Sequence, residues 1–447
     1  MNYRKLSWIV ALLVTASASW LGAQQPASQP LKPETAPATQ PAAPTWPQFN
    51  GPRGDNRSPD QGLLKTWPAG GPKLLWRYDK CGTGFSSVSF ADGLIFTAGD
   101  LDKECQVMAL DMDGKLVWSK SNGKAWTTPW SGARSTPTYN DGLVYHLNAF
   151  GQLSAYEAKT GNPVWSVALK YKGLSQGGFA ESVLIDGNNL ICMPGDPDAF
   201  VIALDKKTGQ KVWASDFKQI GHDRASYTSP ILVDYKGKKH IICLSLFQLF
   251  SLDAQTGKVE WTVSHREETR GHCEVVAVSP IWLGDGKVFI TKGYTMGSKV
   301  YAIDPSGTSV KLLWEHRPSD SEHAAAVADG GCVYVPGNYV YPLGGWNQKE
   351  AKEGSLYCLD ATTGQEKWAA KIGRCTLTYA DGRLYGLNEF GKLSLLEANP
   401  EKCTILGELQ LPKMAGGWGQ TLTHPVVFGG RLYVRNHNVL YVFDVKG

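Results

Sequence analysis

Val201–Trp213, VIALDKKTGQKVW, decides the fold. Its first residues alternate as a strand that closes on Asp205, Thr208-Gly209 supply a tight turn in which glycine can take positive φ, and Lys211–Trp213 begin a return strand. The Asp205 carboxylate can bond the backbone of its own turn, and Trp213 offers a flat surface that one small hairpin cannot bury alone. The hairpin therefore needs neighbours of its own kind.

The chain supplies them. ALDMDGKLVW ends at Trp118, AYEAKTGNPVW at Trp165, SLDAQTGKVEW at Trp261, AIDPSGTSVKLLW at Trp314 and CLDATTGQEKW at Trp368. A further copy, LLEANPEKCTILGEL, keeps Glu397 but has lost the Thr-Gly and the Trp, and YVFDVKG stops just after Asp444. The acids Asp111, Glu157, Asp205, Asp253, Asp304, Asp360, Glu397 and Asp444 recur every 40 to 55 residues or so, roughly the period of a propeller blade and unlike that of helical solenoids. Lys73–Arg77, KLLWR, reads as a return strand without a hairpin, and Leu440–Asp444 as a hairpin strand without a return. Joining the two closes the ring and removes open sheet edges. The expected fold is an all-β, eight-bladed propeller of four-stranded antiparallel blades, with the last blade built from both ends of the ordered chain. The inner pairs read as period-two runs around Asp-Gly or Gly-Gly turns, at 87–97, 137–147, 182–193, 280–291, 376–387 and 425–434.

Composition agrees. The 447 residues include 49 Gly and 16 Trp, and a formal charge of +4 that is not gathered into a basic run argues against a nucleic-acid partner. Residues 1–23 follow a secretory signal pattern: Arg4-Lys5, an apolar core, then small residues, with Ala16-Ser17-Ala18 or Leu21-Gly22-Ala23 as cleavage sites. Retention as an anchor is the alternative, because Leu6–Ala23 is nearly long enough to span a bilayer; after cleavage no membrane span is expected. Residues 24–45 are rich in Pro, Ala and Gln and cannot bury enough surface to fold, so residues 46–447 are expected to form the propeller. The product is expected in the periplasm or outside the cell. The segment Trp46–Gly54, WPQFNGPRG, is expected to pack Trp46 and Phe49 on the outside or rim of the ring.

The A-[LI]-D-x-x-T-G-x-x-x-W string resembles the tryptophan-docking motif of pyrroloquinoline quinone (PQQ)-like repeat proteins, a superfamily that includes BamB-like assembly factors and quinoprotein dehydrogenases. The resemblance covers nearly the whole ordered chain and implies that Trp76, Trp118, Trp165, Trp213, Trp261, Trp314 and Trp368 dock blade to blade. It does not settle function, because fold and site are separate matters.

Loops running from one blade's outer strand to the next blade's inner strand gather at one mouth of the channel, and here they are aromatic and charged. They carry Trp126, Trp130 and Arg134; Phe179 and Glu181; His222, Arg224 and Tyr227; Arg270, His272 and Glu274; Glu322 and His323; Arg374; and Trp418, Gln420 and His424. Such residues on a rigid scaffold are the candidate binding surface, against the plainer reading of a solvated rim. The insertion YVYPLGGWNQKEAKEG at 339–354 displays Tyr341 and Trp346 and is the candidate partner-binding loop.

Glu181 and Glu274 are weak candidates for holding calcium, and the scattered His222, His272, His323 and His424 lack zinc spacing, so no metal is expected. Of nine cysteines, Cys332 and Cys358 are the one suggested disulfide pair. Quinoprotein alcohol dehydrogenases carry an adjacent cysteine pair against the cofactor, and no two cysteines are adjacent here. The expectation is a non-catalytic exported scaffold that binds a protein of the cell envelope, without a cofactor. The alternatives are a dehydrogenase using PQQ and calcium, with Arg134, Arg224 and Arg374 on the quinone's carboxylates, and a propeller that stacks sugar rings on Trp126, Trp130, Trp346 and Trp418.

Overall fold

A computed structural model describes residues 45–128, 130–169, 177–196, 198–215, 217–220, 223–269, 275–337, 354–413 and 421–447. The expected signal and linker, apart from residue 45, lie outside these residues. The described chain forms eight four-stranded antiparallel sheets, arranged as an eight-bladed propeller, and two helices of four residues each. Blades are numbered here from the sheet beginning at Ser89, so that the opening hairpin belongs to blade 3. That blade orders Leu184–Asp186, Asn189–Cys192, Val201–Asp205 and Lys211–Ser215 from the channel outward.

The acid caps its turn as its chemistry demands. Asp205 Oδ1 accepts the N–H groups of Lys207 and Thr208 at 3.0 and 2.9 Å and the Thr208 hydroxyl at 2.9 Å, while Gly209 sits at φ 70°. Asp253 and Asp360 repeat this arrangement. In all eight outer strands the register then slips by one, leaving Leu75, Val117, Val164, Val212, Glu260, Leu313, Lys367 and Leu406 as the extra residue of a β-bulge. A bulge re-aims the side chain that follows it. Here that residue is Trp in seven blades, and its indole reaches the next blade. Trp76, Trp118, Trp165, Trp213 and Trp314 lie against Gly114, Gly161, Gly209, Gly257 and Gly364. The Trp118, Trp165 and Trp368 indole N–H groups donate to the carbonyls of Ala158, Lys206 and Asn399 at 2.8, 2.9 and 2.9 Å. The pattern breaks after blade 4, where Gly307 meets the His240 ring, whose Nδ1 lies 2.6 Å from the bulge residue Glu260.

A Cβ at Gly209 would lie 2.8 Å from Trp165 Cε3. Gly209→Ala is therefore expected to destabilise by about 2 kcal/mol, through positive-φ strain and overpacking together. Gly187→Ala, at φ 57° with nothing within 4 Å, isolates the strain alone. Equal losses for the two in urea unfolding would remove the packing contribution.

Ring closure is as expected: Lys73–Tyr78 pairs antiparallel with Val439–Asp444. Blades 4 and 6 have inner pairs beyond the six read from the sequence, and blade 4 turns on Lys236-Gly237 at φ 54° and 77°, without an Asp-Gly signal.

Two expectations are corrected. Trp46–Gly54, expected on the outside or rim, runs with the residues up to 58 across the channel end where each blade's first two strands turn, and Trp46 is buried there beside Phe90. Phe90 and Tyr139 donate N–H to the carbonyls of Trp46 and Pro47 at 2.7 Å each, Tyr379 N–H to Asn56 at 2.9 Å, and Arg57 pairs with Asp329 at 2.7 Å. The segment thus ties blades 1 and 2 to blades 6 and 7, using the unpaired edges of inner strands, and Phe49 reaches the His424 ring at 5.2 Å. The second correction concerns Cys332 and Cys358. They stand opposite Asp360 and Tyr334, on a diagonal and not face to face, and both remain thiols in one buried cluster with Cys375.

Candidate functional site

Where the chain enters the inner strands, equivalent positions around the channel are held by Ser87, Thr136, Ser182, Ser229, Ser279, Ala325, Thr376 and His424. Edge strands leave N–H groups unspent, and in blades 1 to 4 each of these is met by the next blade's hydroxyl. Ser87, Thr136, Ser182 and Ser229 donate N–H to the hydroxyls of Thr136, Ser182, Ser229 and Ser279 at 3.0, 2.9, 2.9 and 2.9 Å. In blade 6 the pattern changes: the Ala325 N–H passes over Thr376 of blade 7 and is accepted by His424 Nε2 of blade 8 at 3.1 Å. The loops at the open mouth rise from this belt.

One side of the mouth gathers Trp126, Trp130, Arg134 and Tyr227. Trp126 N–H donates to Asp100 Oδ2 at 2.8 Å, the Arg134 guanidinium lies 5.7 Å from the Trp126 ring and donates to the Trp130 carbonyl, and Phe150 packs 5.1 Å from Trp126. Burial draws Arg134 down to about 10, offset in part by Tyr227 and Asp100, and burial lifts Asp100 to about 6. Arg224 is exposed and lies over the Phe247 ring.

Other candidates turn inward. Phe179 is buried, and Glu181 accepts the Met193 N–H with both carboxylate oxygens, at 2.8 and 3.0 Å. Burial lifts Glu181 to about 8, so it holds a proton at neutral pH. Arg374 is fully buried, with Nη1 3.9 Å from Glu389 Oε1, and His323 Nε2 lies 4.0 Å from the same oxygen. Burial keeps His323 and His424 neutral, at about 3 and 4. Glu322 accepts the Tyr294 hydroxyl at 3.2 Å. His222, Arg270, His272, Glu274, Tyr341, Trp346, Trp418 and Gln420 lie outside the described residues.

Sequence reasoning missed Glu389. Its signal lay in the repeats: LNAFGQ at 147–152 and LNEFGK at 387–392 form the same Asn-capped turn, and Glu389 replaces Ala149. It also missed a cavity of about 270 Å³ at the other channel end, between residues 47–54 and the inner strands of blades 2 to 4.

Because folded Glu181 keeps its proton to about pH 8 while an unfolded glutamate loses it near its ordinary value, stability is expected to fall as pH rises through that interval. The buried His146, His323 and His424 act oppositely, but only below about pH 6.5. Between pH 6.5 and about 8 the melting temperature should therefore decline, and Glu181→Gln should flatten the decline; an unchanged slope would remove Glu181 as its source.

The sequence profile of the family described as outer membrane protein assembly factor BamB matches residues 103–370. Quinoprotein ethanol dehydrogenase of Pseudomonas aeruginosa is 30% identical over 134 residues, which is 28% of this chain and 20% of that protein, so the match spans one fifth of the relative's length. Among solved structures, BamB from Moraxella catarrhalis superposes with a TM-score of 0.60 at 14% identity, over 83% of this chain and 99% of its own. A europium-containing methanol dehydrogenase gives 0.63 at 13% identity, over 88% and 89%. Quinohemoprotein alcohol dehydrogenase from Comamonas testosteroni gives 0.61 at 14%, over 90% and 81%. These structural likenesses are likenesses of fold.

Proposed function

On the premise that this chain belongs to the BamB-like family of PQQ-repeat propellers, we propose that it is an exported, non-catalytic scaffold that holds a protein of the cell envelope at its open mouth. The observation that carries the reading is a division of labour among the mouth residues. Trp126, Trp130, Arg134, Arg224 and Tyr227 stand on loops held by rigid sheets, whereas Glu181, His323 and His424, the groups suited to acid–base work, are buried and neutral. Among the described residues no helix is long and apolar enough to cross a membrane. Tyr341 and Trp346 are proposed as a second contact to the same partner.

A quinoprotein dehydrogenase is the second reading, favoured by the local identity to the Pseudomonas enzyme. The donor set fits it poorly. A protonated Glu181 that spends both oxygens on Met193 is a poor ligand for a hard cation, Arg374 is buried beside Glu389, and none of the nine cysteines has a cysteine neighbour in sequence. Sugar stacking is also poorly supported, since Arg134 and Phe150 already pack around Trp126.

The test places a photo-crosslinking residue at Tyr227 and, separately, at Val212 on the outer wall. An envelope protein captured from the first position and not the second is the expected result. Equal capture from both would displace the mouth, and stoichiometric PQQ binding with alcohol turnover would overturn the non-catalytic reading.

A further inference from the structure

Phe247 stands at the mouth with two guanidinium groups over its ring. Arg224 comes from the loop entering blade 4, and Arg266 opens the short helix Arg266–Thr269 that follows the blade's outer strand. Their Cζ atoms lie 5.8 and 4.5 Å from the centre of the Phe247 ring. The ring is fixed from both directions: Phe247 N–H donates to Asp223 Oδ1 at 3.0 Å, and its carbonyl accepts the His265 N–H at 2.6 Å.

Neither arginine forms an ion pair among the described residues, where the paired arginines are Arg53, Arg57, Arg77, Arg317, Arg374 and Arg383. The nearby acids do not neutralise them. Asp223 is buried and committed to the N–H groups of Arg224 and Phe247 and to the Ser245 hydroxyl, and Glu268 is bound by Lys299. A guanidinium held over an aromatic face spends its flat side on the ring and keeps its in-plane N–H donors for a bidentate acceptor. Because the stacking already orders two long side chains, little further entropy is lost when an anion binds. A similar stack, Arg134 over Trp126, stands on the same mouth.

We infer that the partner enters the mouth with an acidic segment, whose Asp or Glu carboxylates are gripped in bidentate fashion by Arg224 and Arg266 over Phe247. This rests on the protein-binding reading above. Charge complementarity selects the occupant. Glu267, exposed one residue from Arg266, favours the singly charged carboxylate over a more highly charged phosphate.

The experiment uses the whole protein and a fluorescein-labelled dodecapeptide of Asp and Glu, with its Asn/Gln counterpart as control. Anisotropy should show saturable binding of the acidic peptide alone. Binding should weaken at least tenfold in R224Q/R266Q, and should fall clearly in R224K/R266K, where charge stays but the planar fork is lost. Phe247→Leu, which removes the ring face, should also weaken it. Equal binding of both peptides, or full affinity in R224Q/R266Q, would overturn the inference. So would competition by phosphatidylglycerol vesicles or inorganic phosphate as effective as that by unlabelled peptide. Capture at Tyr227 that persists in R224Q/R266Q would leave the scaffold reading standing while the acidic segment fell.

Discussion

Deletion of Leu440–Gly447 is expected to abolish cooperative unfolding of the ring, not to fray one edge. Val439–Asp444 lies between Arg431–Asn436 and Lys73–Tyr78, so its loss leaves the last strand of blade 8 without a partner. Tyr441, Phe443 and Val445 fill the core shared with blade 7, and Leu440 and Val442 fill the core reached by Trp46. Each such side chain contributes roughly 2 kcal/mol by burial. Losing five together approaches the whole net stability of a folded domain, about 5–15 kcal/mol. The chain leading into Lys73–Tyr78 also loses its anchor, since the N–H of Leu64 donates to the Val445 carbonyl at 2.8 Å and that of Gly447 to the Gly62 carbonyl at 2.8 Å. Urea unfolding followed by tryptophan fluorescence should lose its single sharp transition. A truncated chain with the parent's midpoint and slope would refute closure by shared termini.

Arg435→Met is expected to cost roughly 3–5 kcal/mol, because it keeps the volume of a wholly buried side chain while removing its donors. Arg435 donates to the carbonyls of His437, Cys81 and Gly82 at 2.9, 3.1 and 3.1 Å, to the Thr97 hydroxyl at 2.6 Å, and to the Ala98 carbonyl. It thereby ties blade 8 to blade 1 and to the chain that enters it. Each acceptor left dry is penalised, and lysine, with one ammonium, cannot reach them all. Denaturant midpoints should fall for Arg435→Met and, by a smaller amount, for Arg435→Lys. A loss under 1 kcal/mol would show that water replaces the guanidinium.

The repeating hairpins were legible because their code is local. An acid, a turn glycine and a tryptophan lie within a dozen residues and answer mainly to one another, so even the degenerate copy at Glu397 could be placed. Arg435 and residues 46–58 were not legible in that way. Their partners lie hundreds of positions away, and neither VRNHN nor WPQFNGPRG carries a period that names them. At the mouth, residue types could be read but orientation could not. Whether Glu181 faces water or Met193 depends on how the loop descends to its strand, which is set by the hydroxyl belt between blades. Arg224 and Arg266 became a pair only through Phe247, which stands in the turn between Lys238–Leu244 and Gln248–Asp253 and belongs to no repeated motif.

The eight outer bulges have a colloidal consequence. Every blade ends in an edge strand, and several show water an apolar side chain at the slipped position, Val212 most openly at 53% exposure. A regular, sticky edge is a template on which a second copy can add strands indefinitely. The slipped residue breaks that template in the middle of each edge, where pairing would have to propagate, and increases the local twist. At high concentration the molecule would thus keep its greasy rim from seeding fibrils.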